Sequence, residues 1–445
     1  MEVILIKTLQ FFASLSLLVM LHEFGHYITA RIFKIRVEQF YIFFNPWFSL
    51  YKRKVGDTVY GIGWLPLGGY VSLAGMIDES IDKKQVEDMK QPAQPWEFRS
   101  KPAWQRLIVM LAGVVMNIIA AMVIYTGVLY TWGESYVHND DVRYGYLFDE
   151  AAENAGFQDG DRIVAINGEG VERISDIVQR LLITDADAVV EVLRGEEKVV
   201  LNVSLEELVA MRESGEWSGI YNKIISAPYL ISEVTSNSAL EAGLKAGDRI
   251  VAINGTQTLD RRQGDSILME CKGASVVADV ERDGEVLQLT LPINDEGKIG
   301  ITIEPLMIEL RTHYYGFWES IPAGVRYTGE QIASYWDQLK MIVNPDTKMY
   351  KELGGFIAIG NVFPDEWNWQ SFWNITALLS IMLAVMNLLP IPGLDGGHSL
   401  FTLWEIITRR KPSDKFLVVV QWIGMGILFA LLLYANGNDI LRFIF

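Results

Sequence analysis

The chain has 445 residues and is about half hydrophobic, a fraction that soluble proteins share. The distribution of charge is more informative. The net charge of −17 is the sum of +3 for residues 1–133, −18 for residues 134–312 and −2 for residues 313–445. No segment is basic enough to neutralise a nucleic-acid backbone, so we expect no nucleic-acid partner. The single cysteine, Cys271, excludes an internal disulfide and a cysteine-based metal site.

Four apolar segments are long enough to cross the hydrocarbon core of a bilayer. The last three carry no charged residue, and the first contains polar residues near its end. The first segment is not followed by a small-residue cleavage site, which favours a retained membrane helix over a cleaved signal peptide. The four predicted spans are residues 3–27, 107–132, 372–394 and 416–437.

Lysine and arginine residues cluster in the loop after the first span, before the second span, and between the third and fourth spans. Loops rich in these residues normally face the cytoplasm. We therefore expect the N-terminus, the acidic block and the C-terminus to lie on the opposite side of the membrane.

The acidic block contains an internal duplication. The segment AGFQDGDRIVAING at 155–168 recurs as AGLKAGDRIVAING at 242–255, with eleven of fourteen residues identical. Alternating apolar residues followed by Asn-Gly predict a strand and a tight turn in each copy. The pattern resembles PDZ domains, which bind extended peptides by strand addition. Peptide binding and a purely steric role stay open as equal alternatives.

The first span ends in a motif with metal-binding spacing. His22 and His26 in HEFGH lie four residues apart, so a helix would place both imidazoles on one face. Glu23 would then be positioned to take a proton from an attacking water. Ionisable groups inside a membrane span are costly and usually functional.

A third ligand is expected at the cytoplasmic end of the third span. Asp395 lies there, at the same predicted depth as His22 and His26, and two histidines with one carboxylate form a common catalytic zinc set. The alternative for Asp395 is a turn residue before Gly396. His398 is a fourth ligand, a residue that hydrogen-bonds a ligand or, as we favour, an interfacial histidine.

Two of the asparagines in the predicted spans, Asn387 and Asn117, have a specific interpretation. The segment Asn387-Leu-Leu-Pro-Ile-Pro predicts a helix break at membrane depth, where Asn387 either contacts substrate or bonds another helix. In the second span, Gly113 and Asn117 lie one turn apart, a pattern that we interpret as close helix packing.

Taken together, these motifs resemble the site-2 protease family of intramembrane zinc metalloproteases. The resemblance implies one zinc ion per chain, bound by His22, His26 and Asp395, with Glu23 as general base. It rests on HEFGH at 22–26, YGIGWLPLGGYVSLAG at 60–75, GVVMN at 113–117, the duplicated segments, and NLLPIPGLDGGH at 387–398.

The family also implies how substrate is held. Asn387, Pro390 and Pro392 would belong to a substrate-contacting loop, and the segment around Gly68 and Gly69 would be a membrane-associated β-hairpin. The implied setting is the bacterial inner membrane, with the termini and PDZ domains in the periplasm. The implied partners are the lipid bilayer and single-span proteins such as anti-sigma factors of a stress response, or remnant signal peptides.

We therefore predict a mixed fold: four transmembrane helices with a cytoplasmic β-hairpin and two inserted α+β PDZ domains outside the cytoplasm. A metal transporter and a non-catalytic membrane scaffold are the competing hypotheses. The expected domains are residues 1–132 (two spans and hairpin loop), 133–212 (first PDZ domain), 213–226 (linker), 227–305 (second PDZ domain), 306–368 (interfacial segment) and 369–445 (last two spans).

Overall fold

The structure is a computed structural model that describes residues 2–65, 68–76, 91–214, 223–225, 228–303 and 310–443. The chain divides into two compact units. Most of the predicted linker 213–226 lies outside the described residues. The helical unit comprises residues 1–134, 314–339 and 349–445, and the inserted unit comprises residues 135–313 and 340–348.

The helical unit begins with a long helix and a small sheet. The strand order is β2-β3-β1-β4, in which β1 and β3 are parallel and the other neighbours are antiparallel. The hairpin predicted around Gly68 and Gly69 is wrong in its pairing: β3 and β4, the strands on either side of these glycines, each pair with β1 and not with each other. The antiparallel hairpin in this sheet is β2–β3. The elements are α1 (Glu2–Ile32), β1 (Val37–Tyr41), β2 (Phe44–Val55), β3 (Thr58–Leu65), β4 (Tyr70–Leu73) and α2 (Ala103–Trp132).

In the inserted unit, the first sequence copy forms an antiparallel sheet with the strand order β7-β6-β8-β9. Its predicted turn is present, since Asn167 has a φ of 51°, in the left-handed region that asparagine tolerates. The elements are β5 (Glu134–Tyr136), α3 (Glu150–Asn154), β6 (Arg162–Ile166), β7 (Glu169–Gly170), α4 (Ile174–Ile177), β8 (Ala188–Arg194), β9 (Glu197–Val203) and α5 (Leu205–Glu213).

The second copy repeats this arrangement. Its sheet has the corresponding order β12-β11-β13-β14, and Asn254 at its turn has a φ of 52°. Each copy buries its own hydrophobic core. The elements are β10 (Ile231–Val234), α6 (Asn237–Glu241), β11 (Arg249–Ile253), β12 (Thr256–Gln257), α7 (Arg261–Glu270), β13 (Ser275–Arg282), β14 (Glu285–Pro292), β15 (Ile301–Ile303) and β16 (Arg311–His313).

The rest of the helical unit is formed by helices. The segment expected at the membrane interface contains a 27-residue helix, α8, whose Tyr327 and Tyr335 pack against the second and third apolar helices, while Trp318 is 79% exposed. The helices are α8 (Phe317–Val343), α9 (Phe356–Asn361), α10 (Trp369–Leu388), α11 (Asp395–Thr408) and α12 (Asp414–Phe443).

Four helices, α1, α2, α10 and α12, are long and apolar enough to cross a membrane, which confirms the four predicted spans by length and composition. Helix α10 ends at Leu388, six residues before the predicted end of its span. It stops there because Pro390 and Pro392 follow, and proline has no amide hydrogen for a helical bond. The chain therefore has a mixed helical and sheet fold.

Candidate metal centre

Helix α1 places two imidazoles side by side. His22 and His26 are one turn apart, each 7% exposed, and their Nε2 atoms lie 3.2 Å from each other. The helix can carry them inside the unit because Gly25, between them, lets the backbone of α2 approach: a Cβ at this position would lie 2.8 Å from the carbonyl carbon of Ala112.

Asp395, the first residue of α11, completes a triangle with the two histidines. Its Oδ2 lies 3.0 Å from His22 Nε2 and 3.3 Å from His26 Nε2. A tetrahedral zinc ion with ligands at about 2.0–2.1 Å separates neighbouring ligand atoms by about 3.3 Å. Among the described residues, this is the one group of three potential ligands close enough together for a metal ion.

The hydrogen-bond partner of His26 indicates that the triangle of ligand atoms can hold a cation. His26 Nδ1 lies 2.8 Å from the carbonyl oxygen of Val109, which can only accept, so Nδ1 carries the hydrogen. In the neutral ring Nε2 then presents a lone pair. Asp395 Oδ2 is buried and has no hydrogen-bond partner among the described residues. Lone pairs that converge in this way repel one another unless a cation lies between them.

Asp395 reaches the histidines because the chain folds back sharply after α10. Residues 389–394 form the connection, in which Gly393 has a φ of +102°. The first turn of α11 packs tightly against this connection. A Cβ on Gly397 would lie 2.5 Å from the Ile391 carbonyl oxygen, and one on Gly396 would overlap the carbonyl oxygens of Leu388 and Leu389.

Helix α2 contributes two residues, Gly113 and Asn117, whose spacing in the sequence predicted close helix packing. A Cβ on Gly113 would lie 2.6 Å from His22 Cε1 and would also overlap His26 Nε2, so glycine there makes room for both rings. Asn117 is fully buried, with its side-chain nitrogen 3.2 Å from His22 Nδ1. Both residues therefore contact the histidine pair, which the one-turn spacing in the sequence did not reveal.

A cavity of about 70 Å³ opens beside the triangle. This is enough space for water. Glu23 lines the cavity, as do His398 and the β4 residues Tyr70, Val71 and Leu73. His398 is not one of the three clustered ligands.

The other predicted site residues lie at different distances from the centre. The Asn387 amide is 3.3 Å from His22 Nε2, at the edge of the triangle. Pro390 and Pro392 lie in the connection between α10 and α11, of which Gly393 and Leu394 line the cavity. Gly68 and Gly69 precede β4, and a Cβ on Gly69 would lie 2.5 Å from the Tyr41 carbonyl oxygen.

Two histidines, one carboxylate and a neighbouring glutamate that face a water-sized cavity form the kind of centre that hydrolytic zinc enzymes use. The family model for peptidase family M50 matches residues 10–431. The chain therefore belongs to peptidase family M50, the site-2 protease family, as the motifs predicted, and it is a zinc metalloprotease.

Individual relatives extend over almost the whole chain. A protein named as a zinc metalloprotease in Xylella fastidiosa is 30% identical over 96% of this chain and 97% of its own length. Another with that name, from Vibrio cholerae, is 30% identical over 99% of both chains. A protein named regulator of sigma E protease in Haemophilus influenzae is 30% identical over 97% of this chain and 98% of its own.

Proposed function

We propose that this protein is an intramembrane zinc endopeptidase that cuts single-span membrane proteins within or near their transmembrane segment. The observation that carries the proposal is the triangle of His22, His26 and Asp395, which lies between helices long enough to span a membrane. We assign these three residues as ligands of one zinc ion per chain.

In this proposal, the zinc ion supplies Lewis acidity, which polarises the scissile carbonyl and makes water more acidic. Glu23 accepts the proton of the attacking water and transfers it to the leaving amine. Its position one residue from His22 and its place in the cavity wall support this role. Asn387 donates its amide hydrogens to the substrate carbonyl, because that amide lies at the edge of the triangle.

A helical substrate hides its carbonyls in hydrogen bonds and must be unwound before it is cut. We assign this task to β4 and to the connection that contains Pro390 and Pro392. Strand β4 is at the edge of the sheet among the described strands, and its residues line the cavity, so an extended substrate can pair with it. Gly68 and Gly69 allow the turn into this strand.

The inserted unit, in this proposal, consists of two PDZ domains that select substrates. A cavity of about 510 Å³ in the second copy lies between α7 and β15 and has apolar residues, including Leu268 and Ile301, in its wall. Such a groove supports binding of an extended peptide, as an alternative to exclusion of bulky substrates by size. The substrates we propose are anti-sigma factor-like proteins or remnant signal peptides, in the bacterial inner membrane with the inserted unit and both termini in the periplasm.

The proposal can be tested with purified full-length protein in detergent and a single-span model substrate. The wild type should cut inside the span, as located by mass spectrometry, and Glu23→Gln should lose at least about 100-fold in rate while it keeps its zinc. Glu2→Gln, a change of an exposed glutamate on the same helix, is the matched control and should cut normally. A second substrate with a bulky folded outer domain measures selection by size.

Equal cleavage by the wild type and Glu23→Gln would remove Glu23 from the mechanism. Zinc binding without cleavage of any substrate would favour the scaffold hypothesis, and movement of zinc across liposomes would favour the transporter. Equal rates with the bulky and the small substrate would argue against size filtering and leave peptide binding.

A further inference from the structure

One face of α2 carries three consecutive contacts to the two histidines. Val109, Gly113 and Asn117 are spaced four residues apart and therefore lie in a row along the helix. The Val109 carbonyl accepts the hydrogen of His26 Nδ1, Gly113 leaves space for both rings, and Asn117 contacts His22 Nδ1. The mechanism proposed above uses none of these three residues.

Asn117 is the residue in this row whose side chain is chemically specific. It is 0% exposed, inside a helix that is long and apolar enough to span a membrane, where an amide is costly to bury without a hydrogen-bond partner. Its Nδ2 is 3.2 Å from His22 Nδ1, and its Oδ1 has no hydrogen-bond partner among the described residues. A half-turn of the amide brings Oδ1 to the same place, where it can accept a hydrogen.

The protonation of His22 determines which orientation of the amide is useful. Its Nε2 faces His26 and Asp395, so a neutral His22 that binds metal through Nε2 carries its hydrogen on Nδ1. That hydrogen needs an acceptor, and Asn117 Oδ1 can supply it. Val109 already does this for His26 with a backbone carbonyl. Partners of this kind fix the ring orientation and strengthen metal binding.

We infer that Asn117 is a positioning residue that holds His22 in the tautomer and orientation required for zinc. The inference rests on the metal site in the proposed function. It makes α2 the common support of both histidines, through a carbonyl for His26 and an amide for His22. It also predicts that the acceptor atom at position 117 matters, rather than the volume of the side chain.

Two near-isosteric variants separate these roles. Asn117→Leu removes the acceptor and keeps the volume, and Asn117→Asp keeps the acceptor. We expect zinc affinity of the full-length protein in detergent, measured by competition with a chromogenic chelator, to fall about 10–100-fold in Asn117→Leu. Asn117→Asp should stay within a few-fold of the wild type. Thr376→Val, which removes another fully buried polar group from a span without a contact to His22, is the control and should bind normally.

Wild-type affinity in Asn117→Leu, or equal loss in both variants, would overturn the inference, because the acceptor would then not matter. His26→Ala separates this failure from failure of the metal site. If His26→Ala abolishes stoichiometric zinc binding, the metal site is supported independently of the result for the Asn117 variants. If His26→Ala binds zinc like the wild type, the proposed metal site is wrong, and so is the role inferred for Asn117.

Discussion

At the candidate metal site, Gly113 leaves the space that both histidine rings occupy. We expect Gly113→Ala to lower zinc affinity at least about 10-fold, because the new methyl would overlap both rings and force them apart. Competition with the chromogenic chelator measures the zinc affinity of this variant. Gly127→Ala, in the same helix with nothing within 4 Å of its added methyl, should bind zinc like the wild type. Normal binding by Gly113→Ala would mean that α2 can move away.

Residues of the candidate site can be predicted from the sequence where their relation is local or chemically distinctive. His22, Glu23 and His26 are adjacent in one motif, and the carboxylate of Asp395 is conspicuous at the end of an apolar run. Asn117 and Gly113 were missed as contacts of the histidines, since their partners lie more than 85 residues away. The face of α2 that points toward α1 is set by how the two helices pack. Because both helices are apolar on nearly every side, their sequences do not indicate which face this is.

At the scale of elements, the connection between α10 and α11 depends on close contact with α12. A Cβ on Gly424 would overlap the carbonyl oxygen of Pro392 and lie 2.8 Å from the Pro392 Cβ. We expect Gly424→Ala to displace the connection and reduce peptide cleavage at least about 10-fold, since misplaced catalytic groups lose large factors in rate. The rate at which the variant cleaves the single-span model substrate measures this effect.

Gly426→Ala is the matched control for this change. It lies two residues further along α12 and has nothing within 4 Å of the added methyl. It should cleave at the wild-type rate. If both variants cleave normally, the contact between α12 and the connection has no part in the reaction.

Individual elements are easier to predict than their arrangement. The two prolines after Asn387 indicated the end of α10, because proline cannot continue a helix. The strand order β2-β3-β1-β4 was not accessible, since the parallel pairing of β1 with β3 joins segments about twenty residues apart. Alternation of apolar residues indicates strands but does not specify which neighbours pair.

At the scale of the whole molecule, the duplication in the sequence reappears as two equivalent ion pairs. Arg194 binds Asp161 in the first copy, and Arg282 binds Asp248 in the second through contacts of 2.6 and 2.7 Å. Burial alone would raise the pKa of Asp248, but hydrogen bonds from Arg282 and from the Lys245 backbone outweigh it and hold that pKa below its ordinary value.

This pKa predicts how stability depends on pH. A depressed carboxyl pKa adds stability above the ordinary value of about 3.9, and the contribution is lost as pH falls through the lower native pKa. Arg282→Met removes the charged partner of the Asp248 carboxylate and should lower the free energy of unfolding at pH 7. The cost should shrink toward pH 4, because the unpaired carboxyl then takes up a proton.

Calorimetry of the full-length protein at both pH values measures this difference. Lys298→Met breaks an exposed pair with Glu296 and should leave the free energy of unfolding nearly unchanged at both pH values, because exposed ion pairs are screened by solvent. A cost for Arg282→Met that is independent of pH would mean that the arginine stabilises the sheet by packing rather than through Asp248.

The candidate metal centre is assembled from opposite ends of the chain, since Asp395 lies 373 positions after His22. A bacterial ribosome needs about 20 to 70 s to add that many residues. A nascent chain already inserted by its first helices therefore has histidines but no third ligand throughout that time. Under the proposed ligand assignment, proteolysis begins only when translation is nearly complete, so unfinished or truncated copies are harmless to neighbouring proteins in the membrane.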